Sequence, residues 1–212
     1  MISSGKLTCL ENIMGKNFFG PKDYKEHFLE TITAIPDFPW DINMFGDPCQ
    51  FIPGKYRKNT HFIFLGLQSL RGNSMNMAYF QKLYTGKAAA EFKCGFAAKE
   101  IFHFQTLQFR WYALLKKNPI SSGKIFIAQE QLLTSSYEVP SAAEESAKNL
   151  FFFLKNGIIL NEGNLVRTRD KSILCPGSSI AINFGKIISA ISLPDKFSGR
   201  GVRMGASIIM PS

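Results

Sequence analysis

The run His61-Phe62-Ile63-Phe64-Leu65-Gly66-Leu67 is apolar at nearly every position. A strand with one wet face would alternate in polarity. An unbroken apolar run this short needs cover on both faces and is too brief for a stable helix. It therefore predicts an interior strand, and with it a sheet that has material packed on each side.

A strong turn signal stands just upstream. Proline at position 53 presets φ for the second turn position, and Gly54 accepts the positive φ that a type II turn requires at the third. The turn runs from Ile52 to Lys55. Extended outward as a plain antiparallel pair, it sets Phe51 against Tyr56 and Cys49 against Lys58. Cys49 and His61 then miss each other by three positions, roughly 10 Å at the rise of a strand. In that register an ammonium, not an imidazole, faces the Cys49 thiol and favours its thiolate.

The chain has 212 residues, enough for one domain with a sizeable core. Charged residues make up 19%, which argues against disorder. Phenylalanine occurs 20 times, so much of the core has to be aromatic. The formal charge of +9 is unevenly placed. Residues 1–58 hold seven basic and seven acidic side chains, so the entire excess lies in residues 59–212. Such a balance points toward acidic proteins, nucleic acid or anionic surfaces without choosing among them.

Cys9, Cys49, Cys94 and Cys175 are widely spaced and form no Cys-x-x-Cys pair, which excludes a zinc ribbon or a thioredoxin motif. Reduced thiols are expected. Lys6 and Glu11 interrupt any signal-peptide core. The longest apolar-rich stretch, Ile180 to Leu193, contains Asn183 and Lys186 and is too short to span a bilayer. A soluble, cytoplasmic protein with no membrane association is expected, and export without a cleavable signal stays open.

Along the chain, residues 1–50 read as a largely irregular N-terminal segment packed on a single α/β domain spanning 1–212. A short helix over 23–32 is one regular piece in it, with Pro21 near its start. Residues 77–87 read as helical. Residues 88–117 form the longest helix candidate, with Phe104, Leu107, Trp111, Leu114 and Leu115 on one stripe. The stretch 82–124 holds eight basic and two acidic residues and so supplies a basic face. Lys124 to Ala128 reads as a strand joined to 61–67 by a parallel crossover. Ser141 with Glu144 forms a capping box for a helix that ends at Asn156-Gly157. Segments 165–169, 180–184, 187–193 and 202–210 predict a C-terminal antiparallel meander. The fold class is α+β: a central sheet, two main helices and the meander.

Cys49, Phe51, Gly54-Lys55 and Thr60-His61, together with Tyr137-Glu138-Val139-Pro140, carry a resemblance. The chain resembles an uncharacterised group of bacterial proteins with a Pro-Cys-Pro-Phe, then Gly-Lys, then Thr-His-hydrophobic signature and a later Tyr-Glu-Val-Pro. An aromatic segment near Trp111 and the strand Arg167-Thr168-Arg169 extend the similarity over roughly residues 13–208. Gln50 departs from the pattern, where the group has proline, and this loosens the turn beside Cys49. The resemblance implies a shared fold and no particular mechanism.

Three functions compete. The first is a non-catalytic protein-interaction module with a basic face. Its binding residues would be Lys55, Arg57, Lys58, Lys99, Arg110, Lys116, Lys117, Arg167 and Arg169, and its partner an acidic protein surface. The second is a cysteine-dependent hydrolase or transferase with Cys49 as nucleophile and His61 as base. The third is sequence-nonspecific nucleic-acid binding, in which arginines on strands meet phosphates. Whether the protein is an enzyme is left open. His27, His61 and His103 lack ligand spacing, so no metal is expected. No glycine-rich phosphate loop occurs, so no cofactor is expected either.

Overall fold

The computed structural model describes residues 2–84, 100–185 and 187–211, and the backbone of 91–93; side chains 187 and 188 are outside it. The fold is a mixture of α and β, as expected from the sequence. Residues 1–50 are more regular than the sequence suggests. Helix α1 (Ser4–Met14) is capped by the Ser3 hydroxyl, which accepts from Lys6 N, and α2 (Pro21–Phe28) opens on a proline. The Asp23 carboxylate at α2's first turn accepts from Gly20 N at 2.7 Å. Strand β1 (Phe18–Phe19) lies between the two helices.

The next elements are α3 (Arg57–Thr60), β2 (His61–Leu65), the small hairpin β3 (Ser69–Leu70) and β4 (Asn73–Ser74), and α4 (Met77–Tyr84). After them come β5 (Glu91–Lys93), β6 (Trp111–Leu115), α5 (Phe126–Glu130), β7 (Tyr137–Glu138) and α6 (Ala142–Asn156). The chain ends with β8 (Leu165–Lys171), β9 (Ser178–Asn183), β10 (Ile187–Pro194), β11 (Val202–Met204) and β12 (Ser207–Ile208).

One sheet has the order β1-β2-β6-β12-β7, and the other β11-β8-β9-β10-β5. Strand β2 is interior, as its apolar run predicts, and all five of its residues are buried. Its antiparallel neighbour is β6, in a register that sets His61 opposite Leu115 and Leu65 opposite Trp111. Two expectations fail here. Residues 111–115 form a strand and not part of a long helix, because five consecutive apolar side chains fill both faces of a covered sheet. The segment expected as a parallel strand at 124–128 instead enters helix α5. Phe126 and Gln129, one helical turn apart, point inward, while Ile125 and Ile127 are exposed.

The meander is present in β8, β9 and β10, which pair antiparallel. The last segment departs from it. Strand β11 runs parallel to β8, and β12 crosses to the other sheet between β6 and β7. Helix α6 packs against β1 and β2 on one side and against β8 and β9 on the other. That enclosure buries every residue from Ala142 to Phe152, including Glu144, Glu145 and Lys148. Its cap is the predicted one: Ser141 Oγ accepts from Glu144 N, and Glu144 Oε2 accepts from Ser141 N at 2.8 Å. Gly157 closes the helix with φ +67.

Aromatic rings bind the layers. Phe151 of α6 stacks on Phe19 of β1 at 4.5 Å between centroids, and Phe152 meets Phe62 of β2 edge-on at 5.3 Å. The proline-rich segment 33–50 lies over this core. Trp111 Nε1 donates to Pro36 O, and Trp40 Nε1 donates to Ile209 O. No helix among the described residues is long and apolar enough to cross a membrane.

Candidate functional site

The turn at Ile52–Lys55 forms as the sequence demands, with Gly54 at φ +73 and Lys55 N donating to Ile52 O. The pairing beyond it is shifted. Cys49 N donates to Lys55 O at 2.7 Å, and Pro48 bridges to Tyr56. Residues 57–60 then coil into α3 instead of continuing as a strand, so Cys49 does not face Lys58. Cys49 is buried in the main hydrophobic core.

His61, at the start of β2, is fully buried. Its Nδ1 lies 3.3 Å from Arg57 O and 3.0 Å from Thr60 Oγ1, and its Nε2 lies 3.0 Å from the Tyr137 hydroxyl. A backbone carbonyl can only accept, so Nδ1 carries the proton and Nε2 accepts from Tyr137. Burial pushes the imidazole down to about 3, against a smaller opposing effect from the Arg57 carbonyl. Burial pushes the Tyr137 phenol up to about 12, with Arg57 opposing and Cys49 reinforcing the rise. No hydrogen bond joins Cys49 to His61 among the described residues. Tyr137 comes from β7 and meets the Phe51 ring edge-on at 4.8 Å, so three pieces of the sequence signature (Phe51, Thr60-His61 and Tyr137) meet in one buried place. Distance along the chain hid that meeting.

The proposed binding residues that are described separate into four places. Arg110 and Arg169 lie against carboxylates. Arg169 reaches Glu144 at 2.9 Å and Glu138 at 3.8 Å; Arg110 reaches the same two at 3.5 and 3.9 Å and lies over the Tyr112 ring. Arg57 pairs with Asp47 at 3.7 Å. Arg167 is wholly buried, and its guanidinium donates to Lys124 O, Gln129 Oε1, Pro194 O and Phe197 O. The strand that was expected to present Arg167 and Arg169 together sends them to different partners. The basic stretch 82–124 does not form one helix, because 111–115 is a strand; Lys87, Lys99 and the side chain of Lys93 lie outside the described residues.

Lys55, Lys116 and Lys117 do come together. They border a cavity of about 430 Å³ that opens between the turn at 52–55, the end of β6 and the loop after α6. Ile52, Phe152, Ile158 and Leu160 supply its apolar walls, and Asn59 and Thr60 its polar points. Exposed Lys58 stands on α3 beside it, and its carbonyl accepts from Asn17 Nδ2 at 2.7 Å. Asn17 Oδ1 in turn accepts from Lys116 Nζ at 2.8 Å. That ammonium lies 5.5 Å from the centroid of the Phe152 ring. Burial pushes Lys116 down to about 8, helped by the charges of Lys16 and Lys117. Among the described residues, none of Lys16, Lys55, Lys58, Lys116 and Lys117 makes an ion pair. Asn17, Asn59, Phe152, Ile158 and Leu160 escape sequence reasoning, since nothing in the chain marks them as neighbours of Lys116.

Possible metal ligands also gather around α2. Asp23, Glu26 and His27 hold their donor atoms within 4.8 Å of one another. Both Asp23 oxygens already accept, from Gly20 N and from Lys155 Nζ, so the group is committed to holding α2 in place.

No protein-family model matches the chain, and neither a curated protein nor a solved structure shows significant similarity to it.

Proposed function

We propose that this chain is a binding protein whose recognition site is the lysine-rimmed cavity, and that its ligand is an anion with an apolar body. One observation carries the reading: four apolar side chains wall a space of about 430 Å³ whose edge holds three lysines without carboxylate partners among the described residues. Pockets for small molecules combine this sort of apolar wall with a few charged points that set orientation. The excess of unpaired cations around a low-dielectric space draws in anions. The apolar wall favours a compact amphipathic molecule over a nucleic-acid strand.

The test is titration with 1-anilinonaphthalene-8-sulfonate, an aromatic anion whose fluorescence rises in apolar surroundings, followed by displacement with dodecanoate. Saturable binding at one site per chain is expected. Lys117→Glu should weaken it at least about tenfold, roughly 1.4 kcal/mol. Ile158→Trp, which fills the cavity from its exposed edge, should abolish it. Absence of saturable binding, or binding indifferent to both substitutions, overturns the reading. Displacement by a single-stranded oligonucleotide with a steep salt dependence, and not by dodecanoate, would assign the lysines to nucleic acid instead.

A second reading, association with a protein, draws on a separate patch. Glu100 accepts from Ser172 Oγ and Ile173 N, which ties the segment at 100–104 to the loop after β8. Ile101, Phe104, Ile173 and Leu174 are all more than half exposed there. If this face docks a second copy of the chain, sedimentation equilibrium should show a dimer that Leu174→Glu dissociates. A monomer at every concentration would sink that reading.

A further inference from the structure

We propose that Lys116 is a reactive amine that condenses reversibly with an aldehyde or ketone bound in the cavity, the compound's anionic group being held by Lys117 and Lys55. The proposal rests on the cavity reading above and goes beyond it by assigning a covalent step and a substrate class.

Position comes first. Lys116 follows directly on β6, whose five residues are buried, so its backbone is anchored in the sheet and not in a free loop. Its backbone N–H donates to Thr60 O, and its carbonyl accepts from Asn161 Nδ2. The side chain borders the cavity, half-buried, with Phe152 beside the ammonium. Lys117, the next residue along, is exposed at the rim. One lysine is thereby placed inside and another at the mouth.

Charge is the second point. The charged groups acting on Lys116 are Lys16, from the turn after α1, and Lys117, from its own segment; both are cations and both disfavour its protonated form. Asn17, from the same turn as Lys16, contributes only a neutral amide oxygen, and Phe152 from α6 contributes a ring. Lys55, also on the cavity border, adds a third cation. No carboxylate among the described residues pairs with Lys116 to restore the proton. Desolvation together with a neighbouring cation is the combination that turns a lysine into a nucleophile.

The third point is how the amine is held. Deprotonated, Lys116 keeps two N–H groups. One suffices for the bond to Asn17 Oδ1, which leaves the nitrogen lone pair free to react. The lone pair attacks the carbonyl carbon, and the C=O π electrons move to oxygen. Transfer of the nitrogen's proton to that oxygen gives a carbinolamine. Loss of its hydroxyl as water, with the remaining N–H proton, leaves the C=N bond. Amine and carbonyl thus yield imine and water, with no change of oxidation state. Asn59, which lines the cavity and is exposed, offers a polar contact to the carbonyl oxygen as it leaves.

The experiment uses pyridoxal 5′-phosphate, an aryl aldehyde with a phosphate, and pyridoxal as its uncharged counterpart. The whole chain is incubated with each at pH 8, reduced with borohydride, and mapped by peptide mass spectrometry. Lys116 should be modified first, at least about tenfold faster than the exposed lysines. Dodecanoate should block the adduct. Lys117→Glu should slow the phosphate-bearing aldehyde more than pyridoxal. Lys116→Arg should lose the adduct. Modification spread over lysines according to exposure, while the fluorescent anion still binds, overturns the amine and leaves the cavity reading intact. Failure of both the adduct and the anion titration overturns the two together.

Discussion

The Tyr137 hydroxyl stands 3.0 Å from Nε2 of His61 across a gap of 76 positions in the chain. The bond joins β7, at one edge of its sheet, to the interior strand β2. It also completes the hydrogen bonding of an imidazole that has no access to water. Tyr137→Phe should leave Nε2 buried and unpaired, at a cost of about 1–3 kcal/mol. Urea unfolding measures this, and an unchanged midpoint would show that the bond adds nothing.

The same imidazole makes stability depend on pH. Its pKa is about 3 in the folded chain against 6.5 as the ordinary value, so between these limits the unfolded chain binds the extra proton. Stability from this group is complete above pH 6.5 and falls as the medium is acidified toward pH 3. Between pH 6 and 4 the wild type should lose about 1.4 kcal/mol per pH unit more than His61→Gln. Parallel stability curves for the two would refute the assignment.

Lys148 and Glu145 form an ion pair on α6 with almost no exposure on either side. Lys148 also donates to Leu115 O, tying the helix to β6. Removing one partner leaves a buried charge, so Lys148→Met should cost about 3–5 kcal/mol. Glu145 Oε2 has no hydrogen-bond partner among the described residues, and Asn149 Nδ2, which reaches Glu145 Oε1 at 3.3 Å, also donates to the Glu145 carbonyl at 2.8 Å and keeps that bond. Lys148→Met combined with Glu145→Leu should therefore recover most of the loss. A double-mutant cycle by chemical denaturation decides, and an additive double variant would mean that the charges are independent.

Arg167 acts as a clamp between chain segments. Its planar fork holds the carbonyls of Pro194 and Phe197 and the amide oxygen of Gln129. A single ammonium cannot reproduce that spread, so Arg167→Lys should destabilise the fold by at least about 3 kcal/mol. Retained stability, read by thermal and urea unfolding, would show the clamp to be dispensable.

Trp111 is buried to 1% exposure, and its ring packs on Phe18 and Phe38. Trp111→Ala should cost about 3–5 kcal/mol. Since its indole N–H also holds Pro36 O, proteolysis of the 33–50 segment should quicken in the variant. A loss below about 1 kcal/mol would contradict the packing.

Several local features were legible because they depend on neighbours in sequence. The turn at Pro53-Gly54, the capping box at Ser141 and Glu144, the stop at Gly157 and the burial of β2 all follow from residues within one or two turns of each other. The strand at 111–115 was not. Leu107, Trp111, Leu114 and Leu115 satisfy a helical stripe as well as a doubly covered strand, and only the neighbouring β2 and β12 separate the two. The register beyond the turn failed for a related reason: a second turn at 49–52, in which Ile52 N donates to Cys49 O, sets Cys49 against Lys55, and nothing local forbids either course.

By itself the amino-acid order determined an interior apolar strand, a capped helix, an aromatic core and a surplus of cations in the later part of the chain. The fold decided which cations of the chain meet a carboxylate among the described residues. Arg167 is enclosed, Arg110 and Arg169 rest on Glu138 and Glu144, and Lys55, Lys116 and Lys117 edge an open hollow. Pattern and propensity act over a few residues, whereas ion pairing, desolvation and the walls of a cavity are set by groups that meet only once distant segments have packed together.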